Sequence, residues 1–257
     1  MTELLKLQGI GKCFGGIQAL KDVSLSIPEH CIYGLIGPNG AGKTTLFNVI
    51  TGLYEADAGV REFRGKPLPL SMKPHEILRR GIARTFQNIR LFNDMTALEN
   101  VMVARHSKTK AGVIGAILRT PGVRAEERAI REKAESLLAY VGLEGKGNRI
   151  AKTLSYGDQR RLEIARALAA EPALLTLDEP AAGMNPTETV ELARLIHRIH
   201  EDGVSVLLIE HDVKLVMGLC HRVAVLDFGE KIAEGEPAEV QKDPRVIAAY
   251  LGGEAAA

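Results

Sequence analysis

The sequence contains few cysteines and no long apolar run. Cys13, Cys31 and Cys220 are its only cysteines, odd in number and without metal-ligand spacing, so we expect three reduced thiols. No apolar stretch approaches the roughly 20 residues that a membrane-spanning helix needs. Met1–Leu4 lack the basic start and apolar core of a signal peptide. We expect any work at a membrane to proceed through partner proteins.

The chain also lacks an excess of charge of either sign. Lys and Arg number 33, and Asp and Glu number 32. This balance argues against general binding to nucleic acid or to anionic membranes, although it leaves a local basic patch open. The composition, 46% apolar and 25% charged over 257 residues, is typical of one large globular domain or of one domain with a substantial insertion.

The first third predicts strands followed by a loop and a helix. Alternating apolar residues at Val23, Leu25 and Ile27 indicate a half-buried strand. Residues 31–36 form a short apolar run that indicates a buried strand. Good helix formers then follow over residues 44–51, and a glycine ends that segment.

The middle of the chain, from about residue 86 to residue 170, has mostly helical periodicity. Five apolar residues lie on one helical stripe, which Gly142 terminates: Ile130, Ala134, Leu137, Leu138 and Val141. The segment 113–122, apolar with Gly and Pro, is interpreted as a short helix or loop insertion. The simplest organisation is a helical lobe inserted into a strand-containing domain.

Strand signals return after this lobe. Residues 173–177 and 204–209 are continuous apolar runs, which is typical of strands covered on both faces. A helix predicted over 187–201 separates them, so the three elements indicate a parallel βαβ unit. Residues 222–235 then predict a hairpin that turns at 227–230. The last residues, 252–257, are expected to form a frayed tail.

A phosphate-binding loop follows the buried strand at residues 31–36. The segment Gly37-Pro38-Asn39-Gly40-Ala41-Gly42-Lys43-Thr44 fits G-x-x-x-x-G-K-[ST] in full, and the adjoining Thr45 is also expected to bind the nucleotide. Glycines let backbone N–H groups converge on an anion, and the following helix points its positive dipole end at the same place. Lys43 can then reach the β- and γ-phosphates, and Thr44 can bind Mg²⁺. A chance Gly-rich turn is the alternative, which the flanking strand and helix disfavour.

An acidic pair ends the strand at residues 173–177. Asp178 is placed to hold Mg²⁺, through water, and Glu179 is placed to polarise the attacking water as a general base. The carboxyl end of a buried parallel strand is where such sheets bind ligands. Acidic residues often simply end strands, so it is the combination with the phosphate loop that indicates a nucleotide hydrolase.

The segment Leu154-Ser155-Tyr156-Gly157-Asp158-Gln159 resembles the LSGGQ signature of ABC transporter ATPases, and it precedes the acidic pair as in that family. The resemblance extends over essentially the whole chain. It implies that Phe14 stacks on adenine, that Gln87 joins the catalytic core to the helical lobe, and that His211 contacts the γ-phosphate. Taken singly, Phe14 is compatible with ordinary core, Gln87 with a solvated loop amide, and His211 with a structural histidine.

The resemblance also implies a set of site residues. Glu179, His211, Gln87 and Lys43 would be catalytic, and Thr44, Gln87 and Asp178 would hold Mg²⁺. The nucleotide would be bound by the phosphate loop and Phe14, with signature residues contributed across a dimer: Ser155, Gly157, Asp158 and Gln159. Ser155 also has the spacing of a helix N-cap relative to Asp158. It could cap the helix whether or not it also contacts a nucleotide across the dimer.

The fold implied by the resemblance is an α/β P-loop NTPase (RecA-like) core with an N-terminal antiparallel β subdomain and an inserted α-helical subdomain, the ABC ATPase fold. The chain would be a single domain over 1–257. Its catalytic lobe would comprise 1–86 and 171–257, and its helical signature lobe would comprise 87–170.

The resemblance implies a mechanism that needs two ATPase subunits. They would clamp two ATP molecules between the phosphate loop of one and the signature of the other, and hydrolysis would reopen them. The expected partners are a second ABC ATPase subunit, identical or different, two transmembrane permease subunits and, indirectly, an external solute-binding protein. No nucleic acid is expected. The expected location is peripheral, on the cytoplasmic face of the inner (plasma) membrane.

Within the family, the chain resembles the larger ATPase of branched-chain amino acid importers, the Liv type. The resemblance lies in residues 14–20, in 83–92 and in 181–186, in the ending 243–252, and in an insertion around residues 118–121. Two residues depart from the general family pattern but agree with this subgroup. Tyr156 replaces the first signature glycine, and Asn185 replaces an aspartate of the loop between subunits, which leaves the details of coupling between subunits open.

Other functions remain compatible with the sequence. A urea importer or the ATPase of lipopolysaccharide export shares much of the subgroup's pattern, although the latter is shorter through the helical insertion. A soluble ABC protein acting on ribosomes or nucleic acid usually carries two cassettes or a long coiled coil, and neither is evident. A regulatory module that binds ATP without hydrolysing it is disfavoured by Glu179 and His211.

Overall fold

The computed structural model describes residues 2–105 and 121–252, which divide into two compact units. The first unit combines residues 1–84 with 173–257, and the second comprises residues 85–172. Each is described by itself below.

The first unit begins with an antiparallel sheet in the order β2-β1-β4-β5. Its strands are β1 (Glu3–Phe14), β2 (Ile17–Pro28), β4 (Ala58–Phe63) and β5 (Lys66–Pro67). Val23, Leu25 and Ile27 are buried and alternate with more exposed residues, which confirms the predicted half-buried strand. β1 pairs with both β2 and β4 through registers interrupted by bulges, so this sheet is irregular.

A six-stranded sheet, in the order β10-β9-β3-β8-β7-β6, forms the rest of this unit's scaffold. Its strands are β3 (Ile32–Ile36), β6 (Ile82–Arg84), β7 (Leu174–Asp178), β8 (Ser205–Ile209), β9 (Arg222–Asp227) and β10 (Glu230–Gly235). β6, β7, β8, β3 and β9 are parallel, and β10 returns antiparallel to β9. Every residue of β3, β7 and β8 is buried, as their continuous apolar sequences predict.

Helices connect these strands. They are α1 (Lys43–Ile50), α2 (Pro74–Arg80), α6 (Pro186–Glu201), α7 (Val213–Leu219), α8 (Pro237–Val240) and α9 (Pro244–Gly252). The β7-α6-β8 and β9-β10 arrangements confirm the predicted parallel unit and hairpin. One apolar core joins the antiparallel sheet to α1 and to the six-stranded sheet, with members such as Leu7, Phe47, Leu35 and Leu226. Burial of this shared core therefore fixes α1, and the loop before it, against both sheets.

The second unit is helical. It contains α3 (Ala97–Arg105), α4 (Pro121–Tyr140) and α5 (Tyr156–Leu168), with a loop at 85–96 and a connection at 141–155 that includes a 3-10 helix at Ala151–Thr153. The apolar stripe predicted on α4 is buried, and Gly142 has a φ of 80° just after the helix, which confirms it as the terminator. No helix among the described residues is both long enough and apolar enough to cross a membrane.

The boundary between the two units differs from the predicted one by two residues on each side. Residues 85–86 group with the helices because Arg160 on α5 binds the carbonyl oxygens of Phe86 and Gln87. Residues 171–172 also group there, and Glu171 pairs with Arg105 at 2.5 Å. The predicted insertion at 113–122 falls on undescribed residues except for its last two, which begin α4, and residues 253–257 of the predicted tail also lie outside the described residues.

Candidate nucleotide-binding site

The loop between β3 and α1 has a shape that only glycine permits at two positions. Gly37 has a φ of 151°, and a Cβ there would lie 2.1 Å from the carbonyl oxygen of Leu226. Gly42 has a φ of 99°, and a Cβ there would lie 2.7 Å from the carbonyl oxygen of Ala19. Gly229, in the β9-β10 turn, donates its N–H to the carbonyl of Ala41. Neighbouring backbone therefore braces this loop, and its glycines allow the close approach that an anion cradle needs.

Lys43 is the first residue of α1 and is 7% exposed. Its ammonium group donates to the carbonyl oxygens of Gly37 at 2.6 Å and Pro38 at 2.8 Å, so it lies within the curve of the loop. Burial lowers the pKa of Lys43 from its ordinary value, and the carboxylate of Glu179 partly opposes this. Thr44 is exposed and Thr45 half-buried on the same first turn. That turn offers N–H groups with no partner inside the helix, together with its positive dipole end.

Asp178 and Glu179 lie at the same edge of the sheet as the phosphate loop. Leu35 of β3 and Asp178 of β7 both pair in register with Ile209 of β8, the strand between them. Since neighbouring strands are spaced at about 4.8 Å, Asp178 lies about 10 Å along the sheet from Leu35. Asp178 is buried, and Glu179 is half-buried with a φ of 45°. This left-handed conformation is uncommon for glutamate and is held by its N–H bond to the Ile209 carbonyl.

His211 lies next to Glu179. Its Nδ1 is 3.8 Å from Oε2 of Glu179 and 3.8 Å from Oε2 of Glu210, and its side chain is largely exposed. Asp212, the following residue, caps α7 by accepting from the N–H groups of Lys214 and Leu215. The backbone of His211 therefore lies between the end of β8 and the capped start of α7.

Glu210 is a site residue that the sequence analysis did not identify. It is fully buried and accepts from the N–H groups of Ala181 at 2.8 Å and His211 at 3.3 Å. Burial raises the pKa of Glu210, while these N–H groups and His211 lower it. Its carboxylate thus ties the segment after Glu179 to the segment that carries His211. A carboxylate directly after the apolar run of β8 was the available sequence signal.

Phe14 lies at the end of β1 and is 42% exposed. Tyr54, also missed from sequence, packs edge-on against it with ring centroids 5.2 Å apart. The ammonium group of Lys12 lies 5.4 Å from the Phe14 ring centroid and is held by Asp57 at 2.7 Å. The aromatic side chain is therefore supported by Tyr54 and Lys12 while retaining exposed surface, the arrangement that stacking on a planar ligand requires.

The helical unit carries Gln87 and the signature segment. Gln87 and Ser155 are exposed, and Gly157 is buried in the first turn of α5. The Ser155 hydroxyl accepts from the Asp158 N–H at 3.3 Å, so Ser155 is the N-cap of α5. The Asp158 carboxylate pairs with Lys146 at 2.6 Å, and the Gln159 amide donates to the Leu154 carbonyl at 2.9 Å. These bonds present the start of α5 in a fixed conformation.

The donor set at the sheet edge fits MgATP. A glycine-lined loop, a buried ammonium group and a helix N-terminus are the parts of a phosphate cradle. The Thr44 hydroxyl and the Asp178 carboxylate are hard oxygen ligands of the kind that Mg²⁺ prefers. Among the described residues, the first unit, called the catalytic unit below, brings together the phosphate loop, Asp178, Glu179 and His211. Gln87 and the signature segment belong to the second, helical unit.

These features define a P-loop ATPase whose helical unit carries a signature segment, and comparison with known families agrees. Residues 20–182, well over half of the chain, match the family model described as ABC transporter. The chain therefore belongs to the ABC transporter ATPase family. Residues 230–256 also match the model described as branched-chain amino acid ATP-binding cassette transporter, which covers β10, α8 and α9.

Full-length relatives agree with both matches. The chain is 46% identical over 250 residues to the high-affinity branched-chain amino acid transport ATP-binding protein LivG of Salmonella typhimurium, covering 97% of this chain and 98% of that one. It is 45% identical to BraF of Pseudomonas aeruginosa, which has the same description, with the same coverage. The lipopolysaccharide export ATP-binding protein LptB of Acidithiobacillus ferridurans is 35% identical over 98% of both chains.

Solved structures show the same fold. The ADP conformation of MJ1267, an ATP-binding cassette of an ABC transporter, superposes with a TM-score of 0.85 at 34% identity, covering 98% of this chain and all of that one. The dimeric cassette MJ0796 bound to ADP and Pi superposes with a TM-score of 0.77 at 27% identity, covering 91% of this chain and 99% of that one. The predicted α/β ABC ATPase fold is confirmed, and the chain is an ATPase of this family.

Proposed function

We propose that this chain is the energy-coupling ATPase subunit of an importer for branched-chain amino acids. The geometry of the sheet edge supports the hydrolytic part of this proposal, because Lys43 is buried within the phosphate loop and His211 lies 3.8 Å from the Glu179 carboxylate at the ends of two neighbouring strands. The cargo is supported by the LivG and BraF relatives and by the match of residues 230–256. Identity to LptB is about ten percentage points lower, which favours amino acid import over lipopolysaccharide export.

Each site residue has a proposed role. The loop N–H groups and Lys43 bind the β- and γ-phosphates, Phe14 stacks on adenine, and Thr44, Asp178 and Gln87 hold Mg²⁺. Bound Mg²⁺ would neutralise charge that develops on the phosphates. Glu179 accepts a proton from the attacking water, and His211 contacts the γ-phosphate from its position 3.8 Å from Glu179. Glu210 holds the backbone on both sides of this pair.

The signature residues of one subunit act at the nucleotide site of its partner. Ser155, Gly157, Asp158 and Gln159 would face the nucleotide held by the phosphate loop of a partner, as the family resemblance implies, and the similar MJ0796 cassette is described as a dimer bound to ADP and Pi. Two permease subunits would follow the resulting opening and closing, and an external solute-binding protein would deliver cargo. The ATPase would then lie peripherally on the cytoplasmic face of the inner membrane.

Uptake of labelled leucine by the native cell tests this function. A chromosomal Glu179→Gln variant keeps the size of the side chain but loses the base, so we expect hydrolysis to fall by at least ~100-fold and uptake to fall with it. Glu135→Gln, an exposed position on α4, is the matched control and should retain wild-type uptake. Normal uptake in the Glu179 variant, in a strain without a parallel leucine transporter, would exclude this cargo and direct attention to urea import or lipopolysaccharide export.

A further inference from the structure

The start of α5, which carries the signature segment, is joined to the backbone of Gln87 by a buried ion pair. Arg160 and Glu163, one turn apart on α5, are each 1% exposed, and Nη1 of Arg160 lies 3.1 Å from Oε2 of Glu163. An ion pair this deeply buried costs several kcal/mol of desolvation per ion unless further hydrogen bonds compensate it. The stability of this pair therefore depends on the other groups that Arg160 and Glu163 bind.

Its partners are Arg166, whose Nη2 lies 3.8 Å from Oε1 of Glu163, and the backbone groups of residues 86–90, a loop segment without regular structure. The guanidinium group of Arg160 donates to the carbonyl oxygen of Phe86 at 2.5 Å and to that of Gln87. The Glu163 carboxylate accepts from the N–H groups of Phe86 at 3.4 Å and Arg90 at 3.2 Å. Two side chains of α5 thus fix the backbone of Gln87 and its neighbours.

The exposed end of this arrangement is Tyr156. Its hydroxyl accepts from Nη2 of Arg160 at 3.2 Å, the same nitrogen that binds the Gln87 carbonyl, and its ring lies 5.7 Å from the guanidinium carbon. Tyr156 is 45% exposed and directly follows the N-cap Ser155. A glycine at this position would make neither contact. The departure from the signature therefore creates a physical connection between the start of α5 and Gln87.

We propose that Tyr156, Arg160 and Glu163 form a brace that positions Gln87 for ATP hydrolysis. Arg160 acts through its bonds to the carbonyls of Phe86 and Gln87, Glu163 holds Arg160 and the neighbouring N–H groups, and Tyr156 sets the orientation of the guanidinium group. A change at the exposed start of α5 is thereby transmitted to the backbone of Gln87. This inference rests on the proposed function, because it requires Gln87 to take part in hydrolysis.

Two conservative variants of the full-length chain test the brace. Arg160→Lys keeps the positive charge but cannot bridge two carbonyls with a planar fork. Tyr156→Phe removes only one hydroxyl from an exposed side chain, so it remains informative if the arginine variant does not fold. Arg131→Lys, on the exposed face of α4, is the matched control.

The first measurement is hydrogen exchange of the Phe86 and Arg90 amides, which report the brace independently of catalysis. Loss of one hydrogen bond of ordinary strength should speed exchange about fivefold in Tyr156→Phe, with a fall of only about 2 °C in the thermal midpoint, and exchange should be faster still in Arg160→Lys. The control should exchange as wild type does. Wild-type exchange in both folded brace variants would overturn the proposal.

The second measurement combines each brace variant with Gln87→Ala and follows ATP hydrolysis at saturating ATP. We expect kcat to fall about fivefold in Tyr156→Phe at an unchanged KM for ATP, and we expect this loss to vanish in the Gln87→Ala background because both changes act through Gln87. Equal losses in both backgrounds would refute positioning through Gln87. A wild-type chain that fails to hydrolyse ATP would instead remove the proposed function, and this inference with it.

Discussion

At the residue scale, the site depends on charges held out of water. Lys43 is buried among loop carbonyls, which accept its hydrogen bonds but supply no full negative charge. The nearby Glu179 carboxylate offsets part of the cost of this burial. A phosphate at the loop would supply the missing counter-charge at short range, and this is why a buried lysine suits the position.

Replacing Lys43 by alanine should therefore abolish tight nucleotide binding. Charge-assisted hydrogen bonds to phosphate contribute up to about 3 kcal/mol, so ATP affinity should fall by about 100-fold. Equilibrium binding of a fluorescent ATP analogue measures this directly. Lys152→Ala, which breaks an exposed ion pair with Asp94 in the helical unit, should bind ATP as wild type does. Unchanged affinity in Lys43→Ala would contradict the role given to this lysine.

His221 gives the fold a pH dependence away from the nucleotide site. Its Nδ1 accepts the Ile32 N–H at 3.0 Å, so the ring must be neutral there. His221 keeps exposed surface, and the partial burial of its ring, with His200 and His197 nearby, holds its pKa below the ordinary value of 6.5. The unfolded chain therefore binds the proton more readily, and stability is lost as pH falls below about 6.5 towards the folded-state pKa.

We expect the thermal midpoint to fall on acidification from pH 7.5 to pH 5.5, and His221→Asn to reduce that fall. The asparagine oxygen can accept the same N–H without titrating. One hydrogen bond corresponds to about 2 °C in a chain of this size. Scanning calorimetry of both proteins at the two pH values provides the comparison, and an equal fall in both would exclude His221 as a source.

At the element scale, α6 shows how Asn185, which stands where the family resemblance implies an aspartate, begins a helix. Asn185 is the N-cap: its side chain accepts the Glu188 N–H at 3.0 Å, and the Glu188 carboxylate accepts the Asn185 N–H at 3.0 Å. Pro186 occupies the first helical position, where a missing N–H costs nothing. The departure from the family pattern thus preserves the start of the helix.

Asn185→Ala should destabilise the protein by about 1 kcal/mol, or about 2–4 °C, because the cap is lost. Asn185→Asp keeps an accepting oxygen at the same place and should unfold close to the wild-type temperature. Differential scanning fluorimetry separates the two. If alanine and aspartate behaved alike, the capping bond would not contribute to stability.

At the scale of the whole molecule, the proposed mechanism makes one chain insufficient for catalysis. The catalytic unit holds the phosphate loop, Asp178, Glu179 and His211, and the signature segment lies in the helical unit. If the signature completes the site of a partner, hydrolysis requires two chains. The proposal therefore makes activity a property of the assembly.

If the second subunit is another copy of this chain, the specific ATPase activity of the purified chain should rise with protein concentration and level off once dimers dominate. Sedimentation in the presence of ATP, using Glu179→Gln to prevent turnover, should give a dimer over the same concentration range. A specific activity that stays constant down to concentrations at which only monomer sediments would rule out a shared site.

Local patterns were sufficient to predict much of this protein. The loop at 37–44, the strand ends at Asp178 and Ile209, and the terminator Gly142 were readable because glycine content, apolar runs and periodicity act over a few residues. The ABC ATPase fold followed from the resemblance to that family, which the phosphate loop, the signature segment and the acidic pair carry together. Glu210, Tyr54 and the brace around Arg160 were missed because their partners are distant in sequence: Glu210 binds the N–H of Ala181, and Arg160 binds carbonyls more than 70 residues earlier.

By itself, the sequence determined the main strands and helices around the phosphate loop and the family, and it predicted the chemistry of the nucleotide site, since these depend on residue type and on short spacing. Only the tertiary structure decided which backbone groups the buried charges satisfy. The sequence could not show that Tyr156, a departure from the signature, contacts the arginine that holds Gln87. Buried polar groups that folding removes from water must form hydrogen bonds within the protein. Their partners are distant in sequence here and are set by tertiary packing, which a local sequence pattern does not show.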